Sequence, residues 1–170
     1  RTIFGYRPSR LVYNIDKVTL GGVECELAVR VAKGLRAWAN YTYQATVKSA
    51  DSFDSSMVLT DRLPELPGHK ANAGIEYHWD NGARAGLRMR LVSERDVIEG
   101  DLFRSGGSVV EHIDPFATFR LFGSYPFLRK EALSATVRAG IDNLFDTEYE
   151  EEPGIPMPGL TVSGAVEFAF

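Results

Sequence analysis

Leu160-Thr161-Val162-Ser163-Gly164-Ala165-Val166-Glu167-Phe168-Ala169-Phe170 is the stretch whose reading decides the fold. Leu160, Val162, Gly164, Val166, Phe168 and Phe170 fall on one face of an extended chain, and Thr161, Ser163, Ala165, Glu167 and Ala169 on the other. Successive side chains of a strand point to opposite faces, so an alternation unbroken to the last residue predicts a strand with one dry and one wet side.

The pattern repeats upstream. Leu133, Ala135, Val137, Ala139 and Ile141 oppose Ser134, Thr136, Arg138, Gly140 and Asp142, and Ala85, Leu87, Met89 and Leu91 oppose Arg84, Gly86, Arg88 and Arg90. These apolar rows carry no charge, while the opposing rows collect arginines and carboxylates. Helical periodicity is almost absent. The sequence predicts an all-β chain of about seven strands, at roughly 12–31, 35–47, 69–79, 83–93, 115–125, 132–143 and 159–170.

The connections alternate in length. Ala32-Lys33-Gly34 and Asp80-Asn81-Gly82 read as tight turns, the second with an Asn-Gly pair that suits a type I′ hairpin, and Pro126 to Glu131 reads as a slightly longer link at the same end. Between them lie long polar stretches at about 48–68, 94–114 and 144–158. Short turns at one end and long loops at the other are the pattern of outer-membrane barrels. Trp79, Tyr77, Tyr125, Phe127, Phe168 and Phe170 gather at the short-turn end, and Tyr41 and Tyr43 toward the long-loop end, as interfacial aromatic girdles require. A soluble β-sandwich or ligand-binding barrel also alternates, and it stays open as an alternative on pattern alone.

Composition bounds the rest. The 170 residues are 44% hydrophobic and 25% charged, values that also fit a soluble domain, and no run approaches the length of a spanning helix. A net charge of −4 without clustered basic residues argues against a nucleic-acid partner. The single Cys25 has no internal disulfide partner, no Cys/His spacing suggests zinc, and no cofactor is implied. The chain opens at Arg1 without an initiator Met, which reads as a fragment.

Several stretches resemble the C-terminal barrel of TonB-dependent outer-membrane receptors. Asn14-Ile15-Asp16-Lys17 followed by Gly21-Gly22-Val23-Glu24-Cys25-Glu26 is similar to one family strand, and Asn40-Tyr41-Thr42-Tyr43 to the next. Leu66-Pro67-Gly68-His69-Lys70 resembles the approach to the following strand. Most specific is Ile141-Asp142-Asn143-Leu144-Phe145-Asp146-Thr147-Glu148-Tyr149, then Pro156-Met157-Pro158-Gly159 with Leu160 where the family usually has Arg.

The resemblance implies that residues 1–170 are the C-terminal antiparallel strands of a 22-stranded transmembrane β-barrel, with a plug domain and a TonB-contacting segment outside this chain. It implies import of a scarce small-molecule or metal-chelate ligand, of ferric siderophore, haem or cobalamin class, driven through the TonB complex. Outer-membrane lipid and the barrel-assembly machinery are the further partners implied. Other outer-membrane barrels such as porins are the alternative, against which the Asn143-Leu144-Phe145-Asp146 and terminal Pro-Gly stretches argue.

Individual residues divide accordingly. Arg84, Arg88, Arg90, Arg120 and Arg138, with Glu24, Glu26, Glu76, Asp142 and Glu167, are expected on the lumen face, mainly as structural ion pairs. Asn143, Leu144 and Phe145 are expected to form a strand-to-loop structural element, with Phe103 and Tyr149 as the candidate ligand contacts in the outer loops. Phe168 and Phe170 are expected to belong to the assembly signal. The acidic run Glu148, Glu150, Glu151 and Glu152 reads as a solvated loop, and His69, His78 and His112 are too scattered for a metal site. An enzyme is not expected, since Ser108, His112 and Asp114 are the one nearby triad-like set and no oxyanion hole accompanies them.

Overall fold

The computed structural model describes residues 17–49, 65–100, 108–131 and 133–170, and all regular structure among them is β. Seven strands form one antiparallel sheet: β1 (Lys17–Ala32), β2 (Leu35–Ser49), β3 (His69–His78), β4 (Arg84–Val92), β7 (Phe116–Lys130), β8 (Leu133–Asp142) and β11 (Thr161–Ala169). They pair in that order as a meander. Two small hairpins branch from it, β5 (Arg95–Gly100) with β6 (Ser108–Ile113), and β9 (Glu150–Glu152) with β10 (Ile155–Pro156).

The register carries the two-faced pattern across every strand pair. Val29 lies opposite Ala37, Ala37 opposite Ile75, Ile75 opposite Leu87, Leu87 opposite Leu121, Leu121 opposite Ile141 and Ile141 opposite Val162, a wholly apolar row through seven strands. The next residues give a second row on the other face: Arg30, Arg36, Glu76, Gly86, Phe122, Gly140 and Ser163. A slip of one residue would turn a strand's apolar set to the wet side, so the alternation excludes every odd shift of register. Leu27, Val29, Ile75, Leu121, Val162 and Val166 stand exposed on the apolar face, which no other layer covers among the described residues.

Glycine fits this sheet where aromatics lie flat. The Trp38 ring lies over Gly74, where a Cβ would come within 2.6 Å of it, and the Phe122 ring covers Gly86 at the same distance. Both rings are on the wet face, shielding backbone that carries no side chain.

The short turns hold two departures from expectation. In the β3–β4 turn Gly82 has φ +83 but Asn81 does not have a positive φ, and Gly82 N–H donates to Trp79 O at 2.9 Å while Trp79 N–H donates to Ala83 O at 3.0 Å. This is a three-residue type I turn closed by a left-handed glycine, not the type I′ turn that the Asn-Gly pair suggests, because Asp80 joins the loop. Asn81 instead caps it, accepting from Ala83 N–H at 2.9 Å. Likewise Pro126 does not end β7. The strand continues to Lys130 with its register shifting between Pro126 and Leu128, so the missing N–H falls at a bulge, where proline is tolerated.

The long connections also hold more structure than a polar-loop reading expects. The 94–114 stretch contains β5 and β6, and the 144–158 stretch contains β9 and β10. Of the first expected strand, residues 12–16 lie outside the described residues.

Candidate ligand-facing wall and outer mouth

The wet face begins as rows of paired charge. Arg120 lies 3.3 Å from Asp142, Arg138 pairs with Glu167, and Glu76 meets His78 at 2.6 Å. Arg84 Nε donates to Ser124 Oγ at 3.0 Å, and the Arg88 guanidinium sits 4.6 Å from the Phe122 ring centroid, a cation–π contact. Asn72 donates to Asn40 across β2 and β3 at 2.9 Å. A shallow cleft of about 400 Å³ runs over this wall, lined by Glu76, Arg84, Arg88, Arg120, Phe122 and Arg138 among others. Most of these charges are therefore answered within the wall, as expected for a wet interior. Among the described residues Arg84 and Arg88 have no carboxylate partner, and Glu24 and Glu26 on β1 have no cationic one.

At the long-loop end the same face turns apolar. Val92 and Phe116 occupy positions in phase with the arginines, and the register sets them opposite each other. They are buried, along with Ile113 at the end of β6. Tyr149, from the chain after β8, stacks on Phe116 with ring centroids 4.4 Å apart. The wall thus carries a small hydrophobic core at its mouth, built from two strands and two loops.

Polar contacts bind the loops to that core. The Arg90 guanidinium takes the Glu151 carboxylate in a fork, Nη1 to Oε1 at 2.7 Å and Nη2 to Oε2 at 3.1 Å, and stands 5.2 Å from the Phe116 ring centroid. Arg95 of β5 donates to the Glu151 carbonyl at 2.6 Å. The hydrogen bond from Arg90, with the nearby charges of Arg90 and Arg95, holds the Glu151 carboxyl below the usual glutamate range. Glu151 therefore does not float in a solvated loop as its acidic run suggests. Glu150 is also engaged, accepting from Gly154 N–H at 2.9 Å across the β9–β10 turn.

The Asn143-Leu144-Phe145-Asp146 stretch is the hinge of this arrangement. Asn143 and Asp146 take left-handed φ values of +49 and +52, a region Asn and Asp tolerate better than other side chains. Asn143 is 6% exposed; its Nδ2 donates to Thr147 O at 2.9 Å and Pro158 O at 3.2 Å, and its Oδ1 accepts from Thr147 N–H at 2.9 Å. Asp146 Oδ1 accepts from Leu160 N–H at 2.7 Å, tying the start of the 143–160 segment, a strap over the mouth, to the beginning of β11. Leu144 N–H donates to Phe119 O, 2.9 Å away on β7. The Asn143 and Asp146 side chains and the Leu144 and Asp146 N–H groups are all spent on shaping chain, which makes the motif a structural element as its sequence suggests.

Leu66-Pro67-Gly68 has a similar role. Gln44 donates from Nε2 to Pro67 O and from its backbone to Gly68 O, both at 2.9 Å, and Glu65 N–H donates to Asp96 O at 2.7 Å. The segment docks on β2 and touches the β5–β6 hairpin.

Of the residues singled out in the sequence, Tyr149 lies in the mouth cluster and Phe103 falls outside the described residues. Phe168 and Phe170 lie at the opposite, short-turn end, Phe168 opposite Ala135 on the apolar face and Phe170 98% exposed. His112 meets Asp96 at 3.1 Å and not Asp114, so the triad-like set does not assemble in that sense. No group of three or more His, Cys, Asp or Glu side chains is placed to hold a metal ion among the described residues. Arg95, Val92 and Phe116 were missed by sequence reasoning. The signal for the last two was present, since each breaks the polar phase at the loop end of its strand.

Comparison with known proteins agrees with this geometry. Residues 3–144 match the family model described as TonB dependent receptor-like, beta-barrel. The fold is similar to that of FpvA of P. aeruginosa, solved bound to heterologous pyoverdines (16% identity, TM-score 0.64, 89% of this chain and 19% of that one). It is also similar to the copper transporter OprC (24% identity, TM-score 0.66, 90% and 24%) and to the FrpB iron transporter from Neisseria meningitidis (18% identity, TM-score 0.64, 89% and 24%). The chain spans about a fifth to a quarter of the length of these structures. No curated protein matches the sequence.

Proposed function

This chain belongs to the TonB-dependent receptor β-barrel family, a family of the bacterial outer membrane, and we propose that it forms the C-terminal part of the barrel of an active-transport receptor. The observation that carries the reading is the two-faced sheet, with an apolar row through all seven strands on one side and arginines lining the other, closed at one end by tight turns and crowned at the other by tethered loops. A dry exterior suits lipid and a charged interior suits a watery lumen with a plug in it. The plug and the TonB-contacting segment belong to sequence outside these 170 residues, and the energy for import reaches the barrel through them.

The ligand class we propose is a scarce metal chelate or cofactor, a ferric siderophore before haem or cobalamin. Support comes from Arg84 and Arg88 on the lumen wall, which meet a hydroxyl and a ring instead of a carboxylate and can face an anionic chelate, and from structural neighbours whose names include iron and copper transporters. Phe103 and Tyr149 are the proposed outer-loop contacts. Phe168 and Phe170 are proposed as the signal read by the barrel-assembly machinery, because they present exposed aromatics at the strand end that enters the membrane interface.

The family unites receptors and transporters and not enzymes, so the experiment is an uptake assay. Cells lacking the full-length gene are compared with complemented cells in iron-limited medium supplied with single siderophores, and in medium limited for cobalamin. Loss of energy-dependent uptake for one ligand, restored by the gene and abolished by a proton uncoupler, is the expected result. Uptake that persists in uncoupled cells would point to a passive pore and overturn the reading. Deleting Phe170 in the same strain is expected to lower the assembled receptor without lowering its synthesis.

A further inference from the structure

We propose that Arg90 and Arg95 form an oxyanion site at the outer mouth of the lumen wall, that Glu151 occupies it as an internal ligand, and that a small anion bearing carboxylate or phosphate displaces Glu151. The inference rests on reading this end as the outer mouth, and its test is a binding measurement that stands whether or not uptake is found.

The site has the form of one built for a planar anion. Arg90 offers both terminal nitrogens to the two carboxylate oxygens, the fork geometry that guanidinium uses for carboxylate and phosphate. The Phe116 ring lies 5.2 Å from that guanidinium and is itself backed by Tyr149, so the fork stands on a fixed apolar floor. Arg95 reaches the same residue at its main-chain oxygen and has no carboxylate partner among the described residues. Two guanidiniums therefore engage one residue, Arg90 at its carboxylate and Arg95 at its carbonyl, and the charge of Arg95 is met by no carboxylate hydrogen bond among the described residues.

A simple strut would need neither the second arginine nor access to water. The strap from 143 to 160 is already anchored by Asn143, Asp146 and the Met157 N–H bond to Tyr149 O at 2.9 Å, so Glu151 can leave Arg90 without unfolding it. The Arg90 and Glu151 side chains remain 44% and 34% exposed, and a pair that wet is held weakly and exchanges with dissolved ions. Displacement would break the two bonds of the fork and leave Glu151 of β9 held by Arg95 at its carbonyl alone, so arrival of an anion at the mouth is coupled to loosening of the strap.

The test uses the purified full-length receptor in detergent with citrate and inorganic phosphate as separate probes, at ionic strength matched with choline chloride to remove general screening. Calorimetry reads affinity, and hydrogen exchange over residues 149–157 reads the strap. Citrate or phosphate is expected to speed exchange in that segment. Glu151→Gln, which keeps the shape and removes the internal competitor, is expected to tighten binding about tenfold, since the competent state is no longer taxed. Arg90→Gln is expected to abolish it. Arg95→Gln, which leaves the Arg90 fork in place, is expected to weaken it and serves should the Arg90 variant fail to assemble. A response to one probe alone supports the site and identifies its preferred geometry. Equal affinity in wild type and Glu151→Gln, or exchange over residues 149–157 that neither citrate nor phosphate changes in the wild type, would overturn the proposal and leave Glu151 as a latch.

Discussion

Val137→Arg and Thr136→Arg differ by one position on β8 and should differ sharply in cost. Val137 stands between Tyr125 of β7 and Val166 of β11 on the apolar face, half-exposed in the isolated sheet and facing lipid in the membrane. A cation on the lipid face near the bilayer midplane costs about 2–4 kcal/mol, and β8 is a ten-residue strand with Val137 in its middle, so the upper part of that range applies. At about 1.4 kcal/mol per decade, a cost of about 3–4 kcal/mol is roughly a 140- to 700-fold loss in the folding equilibrium. Thr136 lies opposite Glu167 on the wet face, where an arginine meets a carboxylate in water and the cost is about 0–1 kcal/mol. The assay is denaturant titration of the full-length receptor refolding into lipid vesicles, with gel mobility before and after heating as the folded readout. Equal stability of the two variants, or a larger loss for Thr136→Arg, would refute the assignment of faces.

Three further outcomes follow from the same geometry. Asn143→Ala strips a buried side chain that makes three hydrogen bonds to the strap and leaves the left-handed φ to a residue that disfavours it; a local loss of about 2–3 kcal/mol is expected as faster hydrogen exchange over residues 143–160, while exchange in β3 and β4 is unchanged. Gly86→Ala puts a Cβ within 2.6 Å of the Phe122 ring and 2.8 Å of the Ile75 carbonyl, so the neighbouring strand must shift; vesicle refolding should show a loss of about 1–3 kcal/mol, and an unchanged midpoint would contradict the close packing. The Glu151 carboxyl is held below its ordinary range in the folded state, so its contribution is fully present above that range, about pH 4.3, and fades only as pH falls beneath it; exchange in the strap should be flat from about pH 7 to 5 after correction for intrinsic rates and rise in acid, a rise that Glu151→Gln removes.

The sheet was legible because a half-buried strand writes its faces into every second residue. Once β8 and β11 are assigned apolar and polar rows, Val137 must share a face with Val166 and Thr136 with Glu167, since any odd shift in register would put Glu167 in lipid. The structural role of Asn143 was also readable, through resemblance to a family motif. The turns were less so. Asn81-Gly82 is compatible with more than one loop, and whether Asp80 joins it depends on where Trp79 and Ala83 meet across the hairpin. Pro126 argued for the end of a strand, and only pairing with β8 shows that its missing donor falls at a bulge.

By itself, then, the sequence determined an all-β chain with one dry face, seven principal strands and tight turns at one end, because those features depend on periods of two and on local backbone preferences. The mouth of the wall was decided by tertiary structure alone. Arg90 and Glu151 are 61 residues apart, and nothing in either neighbourhood announces the other. Their meeting needs β4 beside β7, the strap folded inward by Asn143 and Asp146, and Val92, Ile113 and Phe116 buried beneath it, a set of contacts between distant segments that no local pattern encodes.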